Sequence, residues 1–315
     1  MKKRILYLIT FLTIIGINYK LISQNENITI TYERNPDKSV DFSYNKKLPG
    51  SYYLKLEFQN LMNCYQTVYE DVIKDGSGHL IKLKPIDSKQ HVNFSYKYSS
   101  IRGNPNPKID KSFNYVFPFK TGKSIKILES TSLKEKYFNA EKDSNWKSYI
   151  VDRINADTIY GMRKGIVIEI VDKFETDSLD EYIYTSSMNK IVIEHNDGTI
   201  SNYIGFNKKS IFVKLGQTVY PQTKLGVLNI FNNSTYRLYF DISYLKETNL
   251  DHSKKRTLNS QSQMEHITPY FFNSNGSLIV KNNNEYLVEI DEITRFKEFT
   301  KREMKQYMKN PQVFN

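Results

Sequence analysis

The chain has 315 residues, of which 39% are hydrophobic, with 24 Tyr and 18 Phe, and its formal charge is +11. That apolar supply excludes a disordered chain, and the length predicts two domains. The basic excess is scattered and forms no long Lys/Arg block, so it does not point to nucleic acid as a partner, although it is compatible with anionic polymers or membrane surfaces.

Residues 1–23 have the layout of a secretory signal. Lys2, Lys3 and Arg4 precede a 13-residue apolar run from Ile5 to Ile17, too short to cross a bilayer comfortably. Cleavage after Ser23 would give an exported protein, periplasmic or extracellular; the alternative is that the segment is kept as an anchor. Cys64 is the single cysteine, so no internal disulfide forms, and it is expected to be a small buried residue.

Residues 24–115 contain alternating runs at Ile28–Tyr32, Val40–Tyr44, Tyr52–Phe58 and Val92–Tyr98, separated by turn residues such as Pro49-Gly50 and Asp75-Gly76. This pattern predicts an immunoglobulin-like β-sandwich. His79 and His91 have no companions at metal-ligand spacing and read as ordinary surface histidines. Gly103, Pro105, Pro107 and Pro118 mark a linker over 103–118, with the domain boundary near 115. Thr131–Trp146 reads as a loop or short helix. Asp172–Met188 carries five acids without calcium-ligand spacing and reads as a solvated loop.

A second β-domain is predicted over 116–250. In it Ile191 and Ile193 share one face and Val192 and Glu194 the other, and Asn196-Asp197-Gly198 is a strong hairpin signal. The chain as a whole therefore reads as all-β. Residues 251–315 form an extension with extended pieces at 267–272, 278–280 and 286–288. One amphipathic helix follows over 291–309, its apolar stripe formed by Ile293, Phe296, Phe299 or Thr300, Met304, Tyr307 and Met308. Glu292, Glu298 and Glu303 interrupt its basic face, so the helix is expected to pack on its own protein and not on a membrane.

Four phrases occur in one order: Tyr160–Val167; Ile191–Thr199 with Tyr203; Ile211–Val219 followed by Lys224–Gly226; and Tyr236–Ile242. This order resembles the LytM/lysostaphin-like zinc endopeptidases, which have a duplicated-hybrid-motif β-fold and cut peptide cross-links in peptidoglycan. The resemblance implies a zinc held by a His, an Asp and the second His of a His-x-His strand, with two more histidines handling protons and the developing oxyanion. Carried onto this chain, the Asp falls on Asp152. No His lies within 138–145 to supply the first ligand. The Tyr-x-His position falls on Gly205, and the His-x-His pair falls on Arg237 and Tyr239. His195 beside the hairpin matches a non-catalytic position.

The resemblance thus implies a degenerate member with no catalytic residues and no zinc cofactor. Tyr149, Asp152, Tyr203, Arg237 and Tyr239 are its groove-binding candidates. The implied partner is a cell-wall peptide or an envelope protein, with no nucleic acid and no stable membrane span once the signal is removed. Two alternatives stay open: an active zinc endopeptidase with non-standard ligands, and a structural component of the envelope. Alternation along 236–242 puts Leu238, Phe240 and Ile242 in the core and Arg237, Tyr239 and Asp241 on the groove face. Asp152 is therefore expected within hydrogen-bond reach of Arg237 or Tyr239, the alternative being an exposed, unpaired carboxylate.

Overall fold

Alternating apolar residues and tight turns make the chain all-β, as a computed structural model shows for residues 27–105, 107–130, 147–175, 187–232, 235–246 and 264–314. The predicted signal, the segment 131–146, His252 and most of the acidic insertion lie outside the described residues.

The first unit packs two three-stranded antiparallel sheets face to face. One contains β1 (Ile28–Arg34), β2 (Val40–Lys46) and β5 (Ser77–Leu83); the other contains β3 (Tyr52–Met62), β4 (Val68–Ile73) and β6 (Asn93–Arg102). Inward positions of both sheets, among them Ile28, Val40, Phe42, Leu54, Leu56 and Leu83, build one core. Cys64 is half-buried against that core and not sealed inside it, because it lies in the connection that follows β3. His79 pairs with Asp41 on the surface.

The second unit is a 12-stranded sheet system. Its central path runs β14 (Thr218–Val219), β11 (Gly165–Val171), β12 (Asn189–Glu194), β13 (Ile200–Ile211), β17 (Thr235–Leu245), β9 (Tyr149–Arg153), β8 (Ser124–Glu129) and β21 (Asn284–Leu287). The short strands β10 (Thr158–Tyr160), β15 (Lys224–Leu228), β16 (Ile230–Asn232) and β18 (Met264–His266) pair at its sides. A separate small sheet joins β7 (Asn114–Tyr115) to β19 (Tyr270–Asn273) and β20 (Gly276–Ile279). The inner face is a large core that includes Ile191, Ile193, Tyr203, Leu238, Phe240 and Ile242.

Three expectations need correction here. Phe113, Tyr115, Val116 and Phe117 belong to the second core, so the stretch expected as linker is a linker only before Phe113; its alternating aromatics override the proline signal. The sheet does not stop near 250, since β18 adds Met264–His266 beside β17. The single helix expected over 291–309 is two helices, α1 (Glu292–Phe296) and α2 (Lys301–Lys309). Asp291 caps the first, and Thr300 restarts the second through a capping box with Glu303. A side chain that satisfies free N–H groups at residue 300 favours a new start over a continuous turn.

The outer face of the large sheet is divided. Ile168, Val192 and Ile200 form a small buried cluster on it, and the first unit covers that end. Gly50 lies so close that an added Cβ would fall within 3.0 Å of Ile168 and Glu194. The Ser51 N–H donates to Glu194 Oε2 at 2.7 Å. Arg102 pairs with Glu169, which also accepts from Lys190 Nζ at 2.8 Å.

Candidate functional site

The outer face beyond this cover is built where β17 lies between β9 and β13. Period-two alternation sends Leu238, Phe240 and Ile242 inward, each fully buried, and leaves Arg237, Tyr239 and Asp241 on the opposite face. Antiparallel register then sets Arg237 opposite Asp152, Tyr239 opposite Ile150 and Ile204, and Asp241 opposite Asn202.

Arg237 and Asp152 form a bidentate pair. Nε donates to Asp152 Oδ1 at 2.6 Å and Nη2 to Oδ2 at 2.7 Å. Nη1 reaches the Tyr239 hydroxyl at 3.3 Å, and the guanidinium lies over the Phe231 ring at 4.1 Å. Burial opposes the Arg237 charge, but the bonds to Asp152 and Tyr239 outweigh it and push the guanidinium pKa up. The expected contact of Asp152 with Arg237 is formed. Farther along the same face, Asn202 Nδ2 donates to Asp241 Oδ1 at 2.8 Å, and His266 Nε2 lies 3.5 Å from the same oxygen.

Two groove candidates are corrected. Tyr149 and Tyr203 are fully buried in the core. On β9, Tyr149 shares the inward parity of Val151, opposite to Asp152, and its ring stacks on Phe240. On β13 the Tyr203 hydroxyl accepts the Met162 N–H at 3.0 Å. Both rings hold the sheet together from behind and cannot touch a ligand on the outer face. The exposed side of the site is therefore Asp152, Arg237 and Tyr239, with Ile150, Ile204 and Phe231 beside them.

Gly205 is shaped by the backbone. It sits at a β-bulge, skipped between the pairs Asn189–Phe206 and Lys190–Ile204, with φ of +119°. A Cβ there would come closer than 3.0 Å to the Arg237 carbonyl oxygen, a backbone atom that a side-chain rotation cannot move away. L-residues rarely adopt this φ, so the position favours glycine twice over. The histidine that the resemblance would require has no room on this backbone.

His195 is a structural residue. It is buried, its Nδ1 lies 2.7 Å from the Lys164 carbonyl and its Nε2 lies 2.6 Å from Ser201 Oγ. Burial, reinforced by the nearby Arg163 charge, pushes its pKa down to about 3, so the ring is neutral in the folded chain at ordinary pH.

The described residues at the positions the resemblance marks do not fit a zinc: both oxygens of Asp152 are held by a guanidinium, Gly205 offers no donor, and the fixed positive charge of Arg237 beside Asp152 would repel a divalent cation. Among the described residues no three His, Cys, Asp or Glu side chains converge into a metal-binding group.

Sequence reasoning placed Asp241 on this face but missed Phe231 and the two partners of Asp241, Asn202 and His266. The parity of Asp241 on β17 was visible, but His266 joins this face only through the pairing of β18 with β17, which no local pattern announces.

No family model and no curated protein matches the chain. Among solved structures, it is similar to a zinc-containing peptidase from Vibrio cholerae at 14% identity and a TM-score of 0.29, covering 69% of this chain and 75% of that one. It is also similar to a putative peptidase M23 from Pseudomonas aeruginosa at 14% identity and a TM-score of 0.24, covering 69% of this chain and 89% of that one.

Proposed function

We propose that this protein is an exported, non-catalytic relative of the LytM/lysostaphin-like endopeptidases, and that it binds a cell-wall peptide through the open half of its outer sheet face. One observation carries the reading: the carboxylate matching the metal-ligating Asp of that family is locked in a bidentate pair with Arg237, whose own position matches a histidine. The pair leaves a surface of mixed character. Tyr239 and Phe231 offer aromatic area, Ile150 and Ile204 offer apolar contact, and the Asp152–Arg237 and Asn202–Asp241 pairs offer oriented donors and acceptors for peptide groups. Binding sites of this kind combine apolar contact with a few placed polar groups.

The test uses the purified protein with muropeptides and glycine-rich peptides, with and without added zinc. No turnover is expected. Soluble peptidoglycan fragments should bind in a calorimeter, and Tyr239→Ala should weaken that binding by about tenfold, equivalent to roughly 1.4 kcal/mol. Cleavage that Asp152→Ala abolishes would overturn the proposal in favour of an active peptidase.

A further inference from the structure

The acids and bases of α2 face opposite ways. At 100° per residue, Glu303, Met304 and Tyr307 share one side of the helix, and all three are partly covered. Glu303 turns toward the protein, where it accepts from Lys164 Nζ at 2.7 Å and from the Tyr220 hydroxyl at 2.7 Å. Just before the helix, Glu298 is bound by Arg163. Two of the three glutamates that seemed to break up a basic face are thus consumed inside the fold. Glu292 remains exposed, on the separate helix α1.

The opposite arc of α2 carries Met308, Lys301, Lys305, Lys309, Arg302 and Gln306 in that angular order, and every one of them is exposed. It contains four cations and no acid, and none of the four is paired with a carboxylate among the described residues. Met308 is 72% exposed at the edge of the arc, and Val313, in the turn that follows, is 60% exposed. A capped helix displaying clustered Lys/Arg beside exposed apolar side chains matches the chemistry of an anionic lipid headgroup layer: the cations meet phosphate, and the apolar tips enter the acyl boundary.

We propose that the outer arc of α2 is a peripheral docking surface for an anionic phospholipid bilayer. The scattered +11 charge of the whole chain does not localise such a surface; the inward turn of Glu298 and Glu303 does. The peptide-binding reading of the sheet face plays no part in this assignment.

The experiment is co-sedimentation of the full chain with phosphatidylglycerol vesicles and with phosphatidylcholine vesicles, comparing the wild type with a variant carrying Lys301→Gln, Arg302→Gln, Lys305→Gln and Lys309→Gln. Any contribution of residues 1–23 is the same in both proteins. Because one surface cation near an anionic membrane contributes roughly a fivefold factor, the variant should lose on the order of a hundredfold in affinity for phosphatidylglycerol vesicles. Wild-type binding should also weaken when salt rises from about 0.05 to about 0.5 M. All four side chains are exposed, so an unchanged circular dichroism melt is expected to certify the fold. A second variant, Met308→Asp, should weaken vesicle binding without altering the melt. Three results would overturn the proposal: equal affinity of the wild type for both lipids, undiminished binding by the four-site variant, or capture by soluble polyphosphate without any vesicle binding.

Discussion

Replacing Gly205 tests whether the lost histidine position is recoverable. With φ at +119°, any L-residue there sits in a sparsely populated backbone region, which costs about 1–3 kcal/mol. The added Cβ would also crowd the Arg237 carbonyl oxygen, so β13 and β17 must separate and weaken at least one ladder hydrogen bond, at about 1 kcal/mol more. Gly205→Ala should therefore destabilise the second unit by about 2–4 kcal/mol, and Gly205→His by at least as much, lowering the melting temperature by roughly 4–15 °C for a unit of this size. The assay is urea or thermal denaturation followed by near-ultraviolet circular dichroism, which reports the packed tyrosines. A Gly205→Ala protein within about 0.5 kcal/mol of wild type would refute the steric reasoning, because a surface substitution without a mechanism stays in that range. A Gly205→His protein that folded normally and took up stoichiometric zinc would refute the view that this backbone excludes the family's site.

Two further predictions concern the buried charge and the buried ring. Arg163 donates to Asp197 at 2.8 Å, to Glu298 at 2.8 Å and to the Tyr115 hydroxyl at 3.1 Å, and it lies 3.7 Å over the Phe113 ring. Arg163→Met should cost about 3–5 kcal/mol by leaving two carboxylates without their partner; hydrogen exchange should show α1 and α2 loosening first, and uniform protection there would argue against the clasp. For His195, whose pKa of about 3 lies below the unfolded value near 6.5, the unfolded chain binds the extra proton between those limits. Its contribution is complete above pH 6.5 and is lost progressively as the pH falls toward 3. Denaturation midpoints measured from pH 7.5 to 5 should decline in the wild type and flatten in His195→Gln; equal slopes would show that another group drives the decline. Burial of Glu303 is outweighed by its bonds to Lys164, Thr300 and Tyr220, which hold it near 2, so it adds its own loss as the pH falls through the ordinary carboxylate value toward 2.

Period-two patterning made β17 legible, and with it the face that carries Arg237 and Tyr239. The same rule, applied to β9, places Tyr149 with Val151 in the core and so removes it from the groove; that signal was present and the resemblance overrode it. Gly205 was legible as a missing histidine but not as a bulge, because φ depends on how two partner strands pair across it. The apolar stripe over 291–309 continues through a real break, since Phe296 and Phe299 both pack against Tyr307. The Thr300-x-x-Glu303 box was the local sign of the restart. The direction in which Glu298 and Glu303 point depends on Arg163 and Lys164, more than 130 residues earlier, and no helical wheel contains that information.

The Arg163 clasp also orders events in time. A guanidinium cannot shed its proton to escape burial. While a chain is made from its N-terminus, Tyr115 and Asp197 are in place long before Glu298, which follows Arg163 by 135 residues. Until that glutamate arrives, Asp197 balances the guanidinium's charge, but the Nε and Nη2 donors lack their partner, so this corner of the sheet keeps them hydrated or leaves them unsatisfied. Closure of this corner is therefore expected to wait for the segment that carries Glu298, and a nascent chain paused before residue 298 should remain open to proteases at the 160–165 turn after most of its strands have been made.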